Sequence, residues 1–325
     1  MKRTALLKFL AAVAAAVSFG AAHAAWPERP ITLIVPFPPG GGLDLTARVI
    51  APLLQKELGQ SVIVVNRAGA TGSIGADAVA KSPADGYTLL WGSLTSHAIY
   101  SALYAKQVPY DLEKNFTPVT VFGTIPLAFV LNPSVKAKNL SELIALAKSK
   151  PGSLTYATSG NGSVQHLAGE MFQRMAGVQM LHVPYKGIGP AMLDLIAGQV
   201  NFSIESVAAT LSYINSGKLR ALAVASGQRV PMAPDVPTTA EAGLKGFEVG
   251  AKLFVAAPAG TPAPIIAALS GAMKSILENR ADIKEALQAQ AVVAAYTTPA
   301  EAAQLVRKEL DMWTKVIQDA KIKPE

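Results

Sequence analysis

Apolar and polar positions alternate along this 325-residue chain in two rhythms. Short runs of Val, Ile and Leu mark buried strands. Between them lie stretches whose apolar residues recur every three or four positions, as on a helix packed along one side. The first unit reads as a strand at 31–36, a Pro/Gly loop, a helix over 43–58 and a strand at 61–66. Leu45, Val49, Leu53 and Leu54 are expected on the packed face of that helix. Pro52 lies inside it, and a residue without an N–H is expected to bend the helix or interrupt its hydrogen bonding. Small residues at 69–75 form a turn before a helix at 76–81, and Pro83-Ala84-Asp85-Gly86 turns into a strand at 87–92.

A second series repeats the design: a strand at 127–131, a turn at Asn132-Pro133 and a helix over 139–149 capped near Asn139 or Ser141. A strand at 154–158, a loop at 159–163 and a helix over 164–176 follow, with Leu167, Met171 and Met175 on its buried side. Strands at 180–184, 200–204 and 219–226 alternate with helices at 190–197 and 207–216. The tail is mostly helical, at 264–278, 280–290 and 299–320. Alternation of this kind predicts an α/β protein with largely parallel sheets. No linker rich in Ser, Gly or Pro separates the two series, so the crossings are expected in strands near 117–124 and 222–226.

The first 24 residues change the picture of where the chain works. Lys2, Arg3 and Lys8 precede an apolar stretch from Phe9 to Ala22, and Ala22-His23-Ala24 is a small-residue cleavage site. An uncleaved anchor needs around twenty apolar residues, more than this stretch has. Cleavage after Ala24 and export to the periplasm are expected, with no later segment able to span a bilayer. The net charge of +7 falls when that basic start is removed, and no dense Lys/Arg stripe remains. Nucleic acid is therefore not an expected partner. With no cysteine, disulfides and thiolate chemistry are excluded. Only His97, His166 and His182 follow the leader, too few for an expected metal site, and no cofactor motif occurs.

Two loops carry the candidate chemistry. In Val35-Pro36-Phe37-Pro38-Pro39-Gly40-Gly41-Gly42-Leu43-Asp44, glycines let a ligand approach the main chain. The helix behind aims its unpaired N–H groups and about half a positive charge at that ligand. Asp44 would either serve the helix dipole or order the loop. Loop 159–163 repeats the logic, with Gly160 and Gly162 offering N–H groups and Ser159, Asn161 and Ser163 offering side-chain donors to a carboxylate. Ser163 would alternatively cap the next helix. Glu205, at a strand end, would accept from a ligand ammonium or hydroxyl, or stand as an exposed loop-edge acid. Lys252, inside an apolar run, would reach solvent or neutralise a ligand carboxylate. Ser163 and His166 are three apart, yet no G-x-S-x-G elbow or local orienting acid accompanies them, so no enzyme is expected. Walker A and G-x-G-x-x-G loops are absent as well.

An ordered set of short motifs runs through nearly the whole chain after residue 24. It includes Trp26-Pro27-Glu28-Arg29-Pro30, the loop from Val35 to Asp44, Asn66-Arg67-Ala68-Gly69-Ala70 and Asp85-Gly86-Tyr87-Thr88-Leu89-Leu90. Ser159 to Ser163 follows, with His166-Leu167-Ala168-Gly169-Glu170, Val183-Pro184-Tyr185-Lys186-Gly187 and Ala257-Pro258-Ala259-Gly260-Thr261-Pro262. In these the chain resembles the Bug family of extracytoplasmic receptors, the solute-binding components of tripartite tricarboxylate transporters. The resemblance implies a two-domain type II periplasmic-binding (Venus flytrap) fold, each domain a mostly parallel sheet flanked by helices. Its domains would be 25–124 plus 225–325, and 125–224. It implies a monomer that takes a small carboxylate or amino-acid-like ligand and hands it to integral membrane transporter subunits. A receptor for a signalling sensor is the alternative role, and an exported hydrolase a further one. Carried over by position, the ligand contacts would be Phe37, Pro38, Gly40 and Gly41, with Asp44 beside them and Ser93 and Ser96 on a neighbouring loop. The second domain would add Ser159, Gly160, Asn161, Gly162, Ser163, His166 and Glu205. The chain departs from the family at Lys252 and Phe254, where Trp and Gly are usual, at Glu205 for Asp, and at Ser96 for Thr.

Overall fold

A computed structural model of the chain describes residues 26–324. The leader and its cleavage site lie outside the described residues. The first half opens with β1 (Ile31–Val35), α1 (Gly42–Leu58), β2 (Val62–Asn66), α2 (Ser73–Ala80), β3 (Thr88–Ser93) and α3 (Leu94–Leu103). A 16-residue strand, β4 (Phe116–Leu131), then leads into α4 (Leu140–Ser149), β5 (Thr155–Thr158), α5 (Val164–Ala176), β6 (Leu181–Pro184) and α6 (Ile188–Ala197). β7 (Phe202–Ser206), α7 (Val207–Asn215) and β8 (Arg220–Val224) complete the second series. The chain returns through β9 (Gly250–Pro258), α8 (Ala263–Asn279), α9 (Ala281–Ala289), β10 (Val293–Ala294) and α10 (Pro299–Asp319).

The strands run β2-β1-β3-β9-β4-β7-β5-β6, with β8 and β10 also on β4. The flanks, β2-β1-β3 and β6-β5-β7, are parallel. The strands between them are antiparallel: β9 against β3 and β4, and β4 against β7 and β8. β4 joins the halves. It pairs with β9 as far as Pro126 and with β7 from Leu127 onward, so the first crossing falls just past the predicted 117–124. The second crossing is not in 222–226. β8 stays in the second half, paired with Ala128 to Leu131, and the return path follows it, resuming as a strand at Gly250 opposite Pro126.

Two predicted faces are rotated in part: Leu54 and Leu167 are buried and Val49, Leu53 and Met171 half-buried against the core, as expected, but Leu45 and Met175 are not. In α1 the buried apolar residues are Ala47, Ile50, Ala51 and Leu54, spaced i, i+3, i+4 and i+7, while Leu45 is exposed. The helix passes through Pro52 as one 17-residue element. In α5 the core side is Leu167, Ala168, Phe172 and Ala176, and Met175 is exposed. Phe172 packs edge-on to Phe129 of β4, 4.9 Å between ring centres, so the smaller residues around it make the close face. β9 and α3 were not among the predicted elements.

Candidate functional site

The first loop is built on β1 and held from behind. Gly40 has φ +80°, in the left-handed region that glycine enters without strain. Gly41 is the N-cap of α1 and has no side chain to cap with, so the first N–H groups of that helix meet no capping oxygen. The brace is Asp44, 2% exposed. Its carboxylate accepts from Gly40 N, Arg48 Nε and Asn66 Nδ2, each at 2.9 Å. Asn66 Nδ2 also donates to the Phe37 carbonyl at 3.0 Å, fixing the loop's other end. The Arg48 guanidinium, followed by the Gly40 and Asn66 donors, holds the Asp44 carboxyl down at about 2 against the opposing effect of burial. Of the two roles open to Asp44, the structure gives loop ordering.

Phe37, Pro38, Gly40, Gly41, Ser93 and Ser96 all line one hollow of about 580 Å³, closed from the hinge side by Ile125 and Leu253. Ser93 and Ser96 do not sit on a loop. Ser93 ends β3 and its hydroxyl caps α3 by accepting from Ser96 N at 3.2 Å. Behind them His97 is fully buried, its Nδ1 3.1 Å from the Tyr110 hydroxyl.

The second loop satisfies much of itself. Gly160 and Gly162 have φ of +129° and +72°. Their N–H groups donate to Thr158 Oγ1 (3.3 Å) and His166 Nδ1 (3.1 Å). Ser163 is the N-cap, accepting from His166 N at 3.2 Å, which leaves its O–H free to donate elsewhere. That geometry joins Ser163 to the His166 main chain and gives the ring nitrogen a glycine N–H, unlike a nucleophile and its base. Asn161 is engaged as well. The His166 ring stacks on His182, 4.0 Å between centres and 7° from parallel. Loop 159–163, His166 and Glu205 stand outside the 580 Å³ hollow. The loop meets the other half at the far end of α3, where a Cβ on Gly162 would lie 2.7 Å from Leu103.

Glu205 is neither an exposed acid nor open to the cleft. It is 1% exposed, and both its oxygens accept from Gln165 Nε2, at 3.0 and 3.1 Å. Ser206 N adds a 2.7 Å bond, and burial still pushes the carboxyl upward. Lys252 is also accounted for. Its Nζ lies 2.7 Å from Glu309 of α10, so it neutralises a protein carboxylate. Sequence reasoning missed Arg48, Asn66, Gln165 and Glu309. The i, i+4 spacing of Asp44 and Arg48 was a legible signal for the first. The others meet their partners only through the tertiary fold.

Buried His97 and half-buried His182 give the stability a pH dependence. Burial, with His166 second, pushes His182 from 6.5 to about 4, and burial alone does the same to His97. The fold favours their neutral forms, so this contribution is complete above pH 6.5 and disappears as pH falls from 6.5 towards 4. The melting temperature is expected to drop across that window. His182→Phe, which keeps a flat ring between His166 and Tyr156, should make the drop shallower.

Among the described residues no group of three or more His, Cys, Asp or Glu could hold a metal ion, and no helix is long and apolar enough to cross a membrane. Two α/β halves joined through shared strands, with a glycine cradle at the hinge, define a two-domain solute-binding fold of type II. Solved structures share it, among them a periplasmic transporter and the periplasmic binding protein BugD. The R. palustris protein Rpa4515 with adipate is 36% identical, with TM-score 0.75, over 92% of this chain and 100% of that one. MatC from Rhodopseudomonas palustris with bound malate is 35% identical, with TM-score 0.70, over 90% and 100%. Protein BugT of Bordetella pertussis is 42% identical over 300 residues, 92% of each chain. The model of the tripartite tricarboxylate transporter family receptors matches residues 46–322, and the chain belongs to that family.

Proposed function

We propose that this protein captures a small carboxylate in the periplasm and presents it to a membrane transporter, with no bond chemistry of its own. The observation that carries the proposal is the uncapped start of α1, aimed into a 580 Å³ hollow between glycines and two serine hydroxyls. N–H groups at a helix start favour an anion and need no cationic side chain. Adipate and malate on two relatives support the ligand class. In this reading the second domain runs from Leu127 to the return at Gly250, and the residues on either side form the first. The ligand seats on the first loop, and the second domain closes over it with loop 159–163, because only the closed form makes both sets of contacts.

A thermal-shift screen of residues 25–325 against mono-, di- and tricarboxylates tests this. At a hundredfold excess over Kd, a ligand adds about 2.7 kcal/mol of stability, a rise of a few degrees at this size. The protein is first unfolded and refolded to strip any carried ligand. No rise with any acid would refute the proposal.

A further inference from the structure

Granted the carboxylate reading, we infer that Gln165 makes the site selective for acids without an ammonium group, by covering Glu205, the acid best placed to receive one. An ammonium leaving water needs a carboxylate or a set of acceptors in exchange. Acidic groups stand near both loops, and each is occupied. Asp44 is locked to Arg48, Asn66 and Gly40 N. Glu170 accepts from the Tyr156 hydroxyl at 2.6 Å and from Gln173 at 3.0 Å. Glu205 lies at the end of β7, where a strand of an open sheet meets its ligand. There it carries both bonds from Gln165.

The carboxylate, which only accepts, fixes the orientation of that amide. Ser159 Oγ donates to Gln165 Oε1 at 3.0 Å, so the oxygen faces the loop and the NH₂ faces Glu205. A flipped amide would set its oxygen against the carboxylate, while the Ser159 hydroxyl can donate or accept and so follows either orientation. The chain Ser159–Gln165–Glu205 therefore ties the second loop to the buried acid and presents the loop's side to the cleft. The first hollow compensates no ammonium either. Its lining has no charged side chain, and the partial positive charge at the start of α1 attracts a carboxylate while repelling a cation. An α-amino acid would bring an ammonium that meets no free carboxylate in either half. Gln165 acts through Glu205, so it is a positioning residue.

Matched pairs test the inference: succinate against aspartate, and glutarate against glutamate, titrated calorimetrically into refolded protein. The desamino acid of each pair is expected to bind at least tenfold more tightly. Gln165→Met keeps the side chain's bulk and removes the donor, and should shrink that ratio at least threefold by improving the amino acid. Gln165→Ala serves the same purpose if the Met variant misfolds. Adding Glu205→Gln to either variant should restore the ratio, which a purely structural role for Gln165 would not do. Equal binding within the pairs by the unaltered protein, or a ratio that Gln165→Met does not move, would overturn the inference and leave the carboxylate reading standing. If none of the four acids binds while other carboxylates do, the inference is also overturned. If no carboxylate binds, both fall together.

Discussion

Gly41→Val is expected to weaken carboxylate binding at least tenfold, about 1.4 kcal/mol, while the melting temperature of the unliganded protein stays within a degree or two. Gly41 has φ −76° and ψ 162°, a conformation open to any L-residue and comfortable for a β-branched one. A Cβ there meets nothing nearer than the Pro38 carbonyl at 3.5 Å, an ordinary contact. The fold therefore admits valine. The ligand does not, because the added methyls stand beside the uncapped N–H groups of α1, in the space a carboxylate oxygen needs. Gly40 would be a poorer probe, since its φ of +80° makes any side chain strained and confuses stability with binding. Calorimetry of the variant decides the matter. Unchanged affinity would remove the loop from the site.

Glu309→Ala is expected to cost about 3 kcal/mol of stability, seen as a fall of about 5 °C in the melting temperature. Glu309 is 2% exposed on α10. One oxygen meets Lys252 Nζ at 2.7 Å, and the other accepts from Thr95 Oγ1 at 2.8 Å and Trp313 Nε1 at 3.0 Å. One carboxylate thus ties together α10, β9 and the first turn of α3, the parts that hold Ser96 and Leu253 against the hollow. Removing it strands a largely buried ammonium and the Trp313 N–H, while the Thr95 hydroxyl keeps the Gly250 carbonyl as an acceptor at 3.1 Å. Urea unfolding of the variant measures the loss. A change below 1 kcal/mol would mean the contact is worth no more than a surface ion pair.

The first cradle was legible because its signal is local. A strand, three consecutive glycines and a helix start need no distant partner to be recognised, and Asp44 with Arg48 lie one helical turn apart. The second loop was legible as a loop. The engagement of Gly162 N by His166, and of Ser159 by Gln165, could not be read, because which donor meets which acceptor depends on χ angles set by packing. β9 escaped since it is flanked by strands and buried along most of its length, so it shows a continuous apolar run broken by Lys252 instead of alternation. α3, with the sequence LTSHAIYSAL, lacks a clear apolar stripe and depends on the Ser93 cap and on α10 packed against it. The rotated face of α1 has a related cause. Leucines occur all around that helix, and the sheet chose Ala47 and Ala51, whose small side chains allow close approach.

Locating the ligand is the most direct test of the account: a crystal structure of residues 25–325 with an acid that raises the melting temperature. A carboxylate is expected within hydrogen-bonding distance of the N–H groups at Gly41 to Leu43 and of Ser93 or Ser96, with loop 159–163 closed over it. A second hollow, about 480 Å³ and lined by Met171, Met175, Met312 and Val316, lies between α5 and α10. An acid bound there, with the first loop empty, would contradict the account.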